Sequence, residues 1–251
     1  VNLGIYVDDV AFKSEGYELK GRIYKPIGDG KFPAVVICHG YPGDIKNMDL
    51  AEELAFNGVS VLVFYYQGAW GSEGTFRFSN LIASTEAAIT FLRSQNYVDS
   101  VRLGLISYSM GAIPLTNIMS QDKTIKTGTL ISPTSNLYKW LSEDILDNIF
   151  DVFLEMAKGK LTIENKNDYK QDMINVAHSL NPINKVVNID APMLFIVGSS
   201  DNETHPDDVK LLYEKAKQPK KLVVIDGADH SYSKHRVLLQ DHVLGWLRDS
   251  L

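Results

Sequence analysis

Cysteine is almost missing from this chain of 251 residues; Cys38 is the single one. An intrachain disulfide is therefore excluded, and so is any zinc site built on several thiolates. Cys38 follows the apolar run Phe32-Pro33-Ala34-Val35-Val36-Ile37 and reads as a small buried hydrophobe rather than a catalytic thiol. No apolar stretch reaches the roughly 18 residues that a membrane span needs. The N-terminus lacks the basic start and apolar core of a secretory signal, so a cytoplasmic location is expected. Positive charge is not in excess either: 25 Lys and Arg against 31 Asp and Glu give a formal net charge of −6. Without a Lys/Arg-rich run to neutralise phosphates, nucleic acid is not an expected partner. Internal repeats and low-complexity tracts are absent as well.

What remains is an ordinary globular composition, 45% hydrophobic and 22% charged, in a chain long enough for one large α/β domain over residues 1–251. Two alternating runs, Gly4 to Phe12 and Tyr17 to Tyr24, flank Ser14-Glu15-Gly16 and predict an antiparallel hairpin. Pro26 to Pro33 forms a loop, after which the rhythm changes. Short apolar runs end at Cys38, Phe64, Ile106, Ile131, Val197 and Ile225. They are too uninterrupted for half-exposed strands and suit parallel strands buried on both faces. Segments of helical period lie between them, at Asn47 to Asn57, Leu81 to Ser94, Pro206 to Lys217 and Lys234 to Leu251. The alternation predicts a mostly parallel sheet of about eight strands with helices on both faces.

One stretch breaks the alternation. Between Ile131 and Pro192 no buried strand is evident; Asn136 to Lys158 has the pattern of a helix rich in large apolar residues, and Lys160 to Asn181 is polar and mixed. An excursion of this length is better read as structured than as bare loop. It predicts a helical cap inserted at about 134–188, over the C-terminal edge of the sheet.

Four strand ends carry residues suited to chemistry. The first is Gly104-Leu105-Ile106-Ser107-Tyr108-Ser109-Met110-Gly111. A nucleophilic serine on a strained strand-to-helix turn needs small residues two positions to either side. Only Ser109 has them, Ser107 before and Gly111 after; Ser107 as nucleophile would have Leu105 and Ser109 instead. The second is His39-Gly40-Tyr41-Pro42-Gly43. An oxyanion needs two preorganised donors, and the backbone N–H groups of Met110 and Tyr41 are the candidates, with Gly40 and Gly43 permitting close backbone approach. His39 reads as a brace for this loop. The third and fourth are Val197-Gly198-Ser199-Ser200-Asp201 and Asp226-Gly227-Ala228-Asp229-His230. His230 would take the Ser109 proton while Asp201 holds the imidazole tautomer. Rivals exist: Asp207, Asp208, Asp226 and Asp229 as acids, His205 and His235 as bases. Asp207 and Asp208 fit the N-terminus of the following helix better.

The order Ser–Asp–His, each at a strand end, resembles the α/β-hydrolase superfamily across nearly the whole chain. The segment Tyr65-Tyr66-Gln67-Gly68-Ala69-Trp70-Gly71-Ser72-Glu73-Gly74 is similar to the loop after the fourth strand in that superfamily, with Gln67 where Arg is usual. Its Ala69-Trp70 resembles the prolyl oligopeptidase/acylaminoacyl-peptidase branch. His39-Gly40-Tyr41 and Gly227-Ala228-Asp229-His230 are similar to small esterases of the feruloyl-esterase kind. About thirty residues precede the core, too few for the propeller domain of true prolyl oligopeptidases, which favours a small esterase.

The resemblance implies two-step acyl transfer on a small-molecule ester or a short peptide, with no metal and no cofactor. Trp70, Trp140, Phe150 and Phe153 are candidate lining for an apolar substrate pocket, or equally core. Two other functions stay open: a serine peptidase of the acylaminoacyl-peptidase kind, and a non-catalytic binding protein on the hydrolase fold. Oligomeric state is not indicated.

Overall fold

The opening alternation folds as a hairpin, β1 (Ile5–Ser14) against β2 (Tyr17–Pro26), in a computed structural model that describes residues 4–43 and 47–251. Of the domain expected over 1–251, residues 1–3 and 44–46 lie outside the described residues. The hairpin turns through Glu15 and Gly16 at φ of 49° and 90°, a left-handed pair that glycine adopts without cost. The strands run two residues past the expected ends, where Ser14 and Pro26 still bury their side chains.

The chain then alternates as β3 (Phe32–Cys38), α1 (Met48–Phe56), β4 (Ser60–Phe64), α2 (Leu81–Arg93), β5 (Val98–Tyr108), α3 (Ala112–Gln121) and β6 (Thr127–Ile131). Four helices follow: α4 (Tyr138–Leu141), α5 (Glu143–Ala157), α6 (Lys166–Ser179) and α7 (Pro182–Lys185). The chain ends β7 (Met193–Gly198), α8 (Pro206–Lys215), β8 (Lys220–Ile225) and α9 (Arg236–Ser250). The sheet order is β1-β2-β4-β3-β5-β6-β7-β8, with β3 to β8 mutually parallel and the hairpin antiparallel.

Alternation within β3 explains its uninterrupted apolar run. Val35 and Ile37 face α1 and α9 with Leu54 and Val243, while Val36 and Cys38 face the opposite layer with Leu92 and Ile113. Both faces are buried, so both residues of every pair must be apolar. Strand β8 departs from this expectation. As the outermost strand it leaves Lys221 and Val224 exposed.

Between β3 and β5 the winding reverses: β4 lies on one side of β3, and β6 to β8 continue away on the other. Such a switch point opens a crevice at the carboxyl ends of the strands. The register sets Cys38 beside Ser107, so the loop after β3 and the turn after β5 emerge side by side.

The stretch between β6 and β7 is helical but differs in detail from its sequence pattern. The expected helix over 136–158 is two, broken at Ser142 by an extended ψ of 149°. There the Ser142 carbonyl accepts the first N–H bonds of α5, from Ile145 and Leu146. Helix α6 forms in the segment that looked merely polar. Its buried stripe is Tyr169, Asp172, Met173, Val176 and Ala177, and Asn165 caps its start. Asp172 accepts from the Phe78 and Ser79 N–H groups, so a carboxylate fills an inward position. The segment is stitched to the loops after β3 and β4. The Tyr41 hydroxyl donates to the Phe153 carbonyl, Trp70 N–H to Lys160 and Phe76 N–H to Thr162. No helix of the described residues is long and apolar enough to cross a membrane.

Candidate active site

Strand β5 ends at Tyr108, and Ser109 follows at φ +51°. For a non-glycine residue this left-handed conformation stores strain, and it lifts the side chain out of the strand-to-helix turn. Gly111 makes the turn possible: a Cβ there would lie 2.3 Å from the Cys38 carbonyl oxygen. Ser107 is inside the strand, fully buried, and its hydroxyl has no hydrogen-bond partner among the described residues. The serine at the cavity is therefore Ser109.

Gly40 lets the neighbouring loop close on that turn, since a Cβ there would sit 2.9 Å from the Tyr108 ring and 3.1 Å from Ser109 Cβ. Gly43, at φ +88°, approaches His39 and the Trp70 indole instead. His39 is buried against the Tyr66 ring, with Nδ1 2.7 Å from the Gly40 carbonyl, consistent with a brace. Tyr41 and Met110, the residues named for the oxyanion N–H groups, both line the cavity with Ser109. Burial pushes the Tyr41 phenol up to about 12, so it stays a neutral donor to Phe153.

His230 follows β8 and Asp201 follows β7. His230 Nδ1 lies 2.9 Å from Asp201 Oδ2 and 3.1 Å from Oδ1. A carboxylate only accepts, so Nδ1 carries the proton and donates to Asp201. Asp201 is held from several directions. Glu203 and Thr204 N–H donate to Oδ1 at 2.9 and 2.8 Å, and the Ser132 and Thr204 hydroxyls donate to Oδ2 at 2.7 and 2.9 Å. Burial alone would raise this carboxyl. The His230 hydrogen bond and charge, with the Ser132 and Thr204 donors, outweigh burial and hold it below its ordinary value. The Tyr108 hydroxyl fixes the histidine's backbone by donating to the His230 carbonyl at 2.7 Å.

The rival groups are engaged elsewhere. Asp229 accepts from Ser233 N–H, Asp226 from the Ser199 hydroxyl, and Asp208 pairs with Lys139. Asp207 and Asp208 occupy the first turn of α8, whose N-cap is His205, and His235 precedes α9. Among the described residues no group of three His, Cys, Asp or Glu is placed to hold a metal ion. Burial raises the Cys38 thiol to about 12, which leaves it inert.

Ser109 opens into a cavity of about 420 Å³. Its walls are mainly apolar, with Phe78, Ile113 and Leu137 joined by Ile149, Val152 and Met156 from α5. Of the four aromatic residues singled out in the sequence, Trp140 and Phe153 line it. Trp70 and Phe150 are placed elsewhere. The Trp70 indole stacks on Tyr65 and donates to the Pro42 carbonyl, and Phe150 packs on Tyr169 beneath Lys170. Sequence reasoning also passed over Ser132, Thr204, Tyr232 and Glu203. Thr204, three residues after Asp201, had a local signal, because a hydroxyl or N–H at that spacing commonly folds back on an aspartate.

The winding of the sheet, with its sharp strand-to-helix turn after β5, is the fold of the α/β-hydrolases. The chain belongs to the prolyl oligopeptidase family, which it matches over residues 64–251. An uncharacterized protein of Mycobacterium tuberculosis (strain H37Rv) is 27% identical over 232 residues, covering 89% of this chain and 72% of that protein. Among solved structures, the α/β hydrolase GrgF from Penicillium sp. sh18 has a TM-score of 0.80 at 17% identity, covering 98% of this chain and 99% of that one. Est1E from Butyrivibrio proteoclasticus, with ferulic acid bound, has a TM-score of 0.79 at 18% identity, covering 96% and 98%. At these identities the likeness is one of fold.

Proposed function

We propose that this hydrolase cleaves carboxylic esters through an acyl-enzyme on Ser109, with His230 as base and Asp201 as its orienting acid. The observations that support the reading are the strained Ser109 turn opening into an apolar cavity and His230, whose Nδ1 is locked on the carboxylate of Asp201. Ser109 Oγ attacks the ester carbonyl and gives its proton to His230 Nε2. The oxyanion accepts from Met110 and Tyr41 N–H. Collapse expels the alkoxide, which leaves as the alcohol with that proton, and the acyl group stays on Ser109. Water then gives a proton to His230, attacks the acyl carbon, and releases the acid as the proton returns to Ser109. The 134–188 segment serves as the cap in this proposal. Its apolar wall takes the acyl group, in a volume suited to a small or medium one.

The family match favours a second reading, cleavage of amides in short peptides. Comparing p-nitrophenyl acyl esters with aminoacyl p-nitroanilides separates the two, and equal or greater efficiency on the anilides refutes the esterase reading. A fluorophosphonate probe is expected to label the wild type and not Ser109→Ala, whose ester turnover should fall by about 10³-fold or more. A wild type that never reacts would point instead to a binding protein on this fold.

A further inference from the structure

The cavity is mainly apolar, yet its described lining includes one charged side chain, Glu203. Its position is tied down. The Glu203 N–H donates to Asp201 Oδ1, so the residue rides on the same turn as the acid of the site. Its carboxylate reaches back to His230, with Oε2 3.6 Å from Nε2. That is too long for a hydrogen bond but well inside the range of a charge contact. Among the described residues no Lys or Arg lies within 4 Å of it, and its side chain is 68% exposed. Lys139 of α4 is paired with Asp208.

Nε2 is the atom that protonates the departing group, so in the ester mechanism the leaving oxygen must come within about 3 Å of it. The Glu203 carboxylate already occupies that neighbourhood. A leaving alcohol with a cationic substituent two or three bonds from its oxygen would set that cation at roughly 4 Å from the carboxylate, the contact distance of an ion pair. An anionic leaving group would meet repulsion there, and the protein's net charge of −6 works in the same direction. We propose that Glu203 is a specificity-determining residue. It recognises a positively charged leaving group, so the preferred substrates are esters that join an apolar acyl group to an amino or quaternary-ammonium alcohol. This inference rests on the ester-hydrolase reading and assigns the side of the scissile bond that the apolar wall does not.

The test uses two butyrate esters of the same shape, one of choline and one of 3,3-dimethylbutanol, which differ by the charge. The readout is the ratio of their kcat/KM values within each protein, so a general loss of activity cancels. The wild type should favour the choline ester by about fivefold, equivalent to ~1 kcal/mol, and the preference should shrink as salt is raised. Glu203→Gln should bring the ratio close to one, and Glu203→Lys should invert it. An unchanged ratio in Glu203→Gln overturns the proposal, as does an equal loss on both esters, which would make Glu203 a group that only tunes His230. Should the variants fold poorly, a wild-type ratio that does not respond to salt overturns it equally. Turnover of the neutral ester and labelling of Ser109 by the fluorophosphonate report separately on the parent reading. Their failure would be visible before any ratio is taken.

Discussion

Gly111→Ala tests the geometry of the serine turn most directly. The added Cβ would lie 2.3 Å from the Cys38 carbonyl oxygen and 2.9 Å from its carbon. Ordinary contact begins about 1 Å further out, so something must move by that amount. Neither atom belongs to a flexible side chain. Cys38 is the fully buried end of β3, paired with Ser107 of β5, so the strain falls on the central strands or on the turn. Overpacking of this kind costs about 1–3 kcal/mol. A displacement near 1 Å between the Met110 and Tyr41 loops should also lower ester kcat/KM by about 10²-fold. Ser107→Ala is the contrasting variant. It removes a buried hydroxyl that has no partner among the described residues and should stabilise by about 1 kcal/mol, with kcat/KM within about twofold of wild type. Urea unfolding and ester kinetics on both variants give the comparison. If Gly111→Ala stays within about 0.5 kcal/mol and twofold of wild type, the close approach is not a constraint and the argument from it fails.

Three further outcomes follow from the site. Asp201 has its carboxyl held below the ordinary value. Its contribution to stability is therefore present above its unfolded value near ~3.9 and is lost as pH falls through the folded one. Stability measured by urea between neutral and acid pH should fall less steeply in Asp201→Asn than in wild type, and parallel acid limbs would count against the cradle. Tyr41→Phe removes the donor to Phe153 and the acceptor of the buried Tyr169 hydroxyl. It should cost about 1–3 kcal/mol, read as a fall in Tm, and hydrogen exchange should quicken first in α5; an unchanged Tm would show that this link does not hold the helix down. Ser132→Ala deletes one donor to Asp201 and leaves the buried Tyr232 hydroxyl without it. Ester kcat should fall with little change in KM, whereas a rise in KM alone would place Ser132 outside the orienting of His230.

The parallel strands were legible because a strand buried on both faces has no room for alternation, and the runs ending at Cys38, Ile131 and Val197 show none. The same rule misjudged β8, whose run is apolar although the strand lies at the sheet edge; sequence does not say which strand ends up outermost. Helix α6 was missed for a related reason. Its inward stripe of five residues includes Asp172 among the apolar positions, a carboxylate that is inward-facing only because the Phe78 and Ser79 N–H groups meet it there. The break at Ser142 was equally unreadable, since the apolar pattern runs straight through it while the backbone turns.

The site divides along the same line. Ser109, Asp201 and His230 each follow a buried run within a few residues, so one dimension suffices to nominate them as candidates. Of the groups that hold Asp201, Glu203 and Thr204 are local to it, and Ser132 is found only once β6 is known to lie beside β7. That pairing brings Ser132 to Asp201 across 69 residues and to Tyr232 across 100. Backbone strain follows the same geography. Of the five described non-glycine residues at positive φ, four (Trp70, Ser109, Ser132 and Tyr232) lie in loops at the carboxyl ends of the strands, and only Glu15 belongs to a hairpin turn. Each strained conformation is unfavourable by itself and persists where its surroundings over-determine it. Here those surroundings are the bonds from Ser132 to Asp201 and Tyr232, and from Trp70 to Pro42 and Lys160. Glycine announces such a backbone in a sequence. Serine, tryptophan and tyrosine do not, so the strain that shapes this site had to be read from the fold.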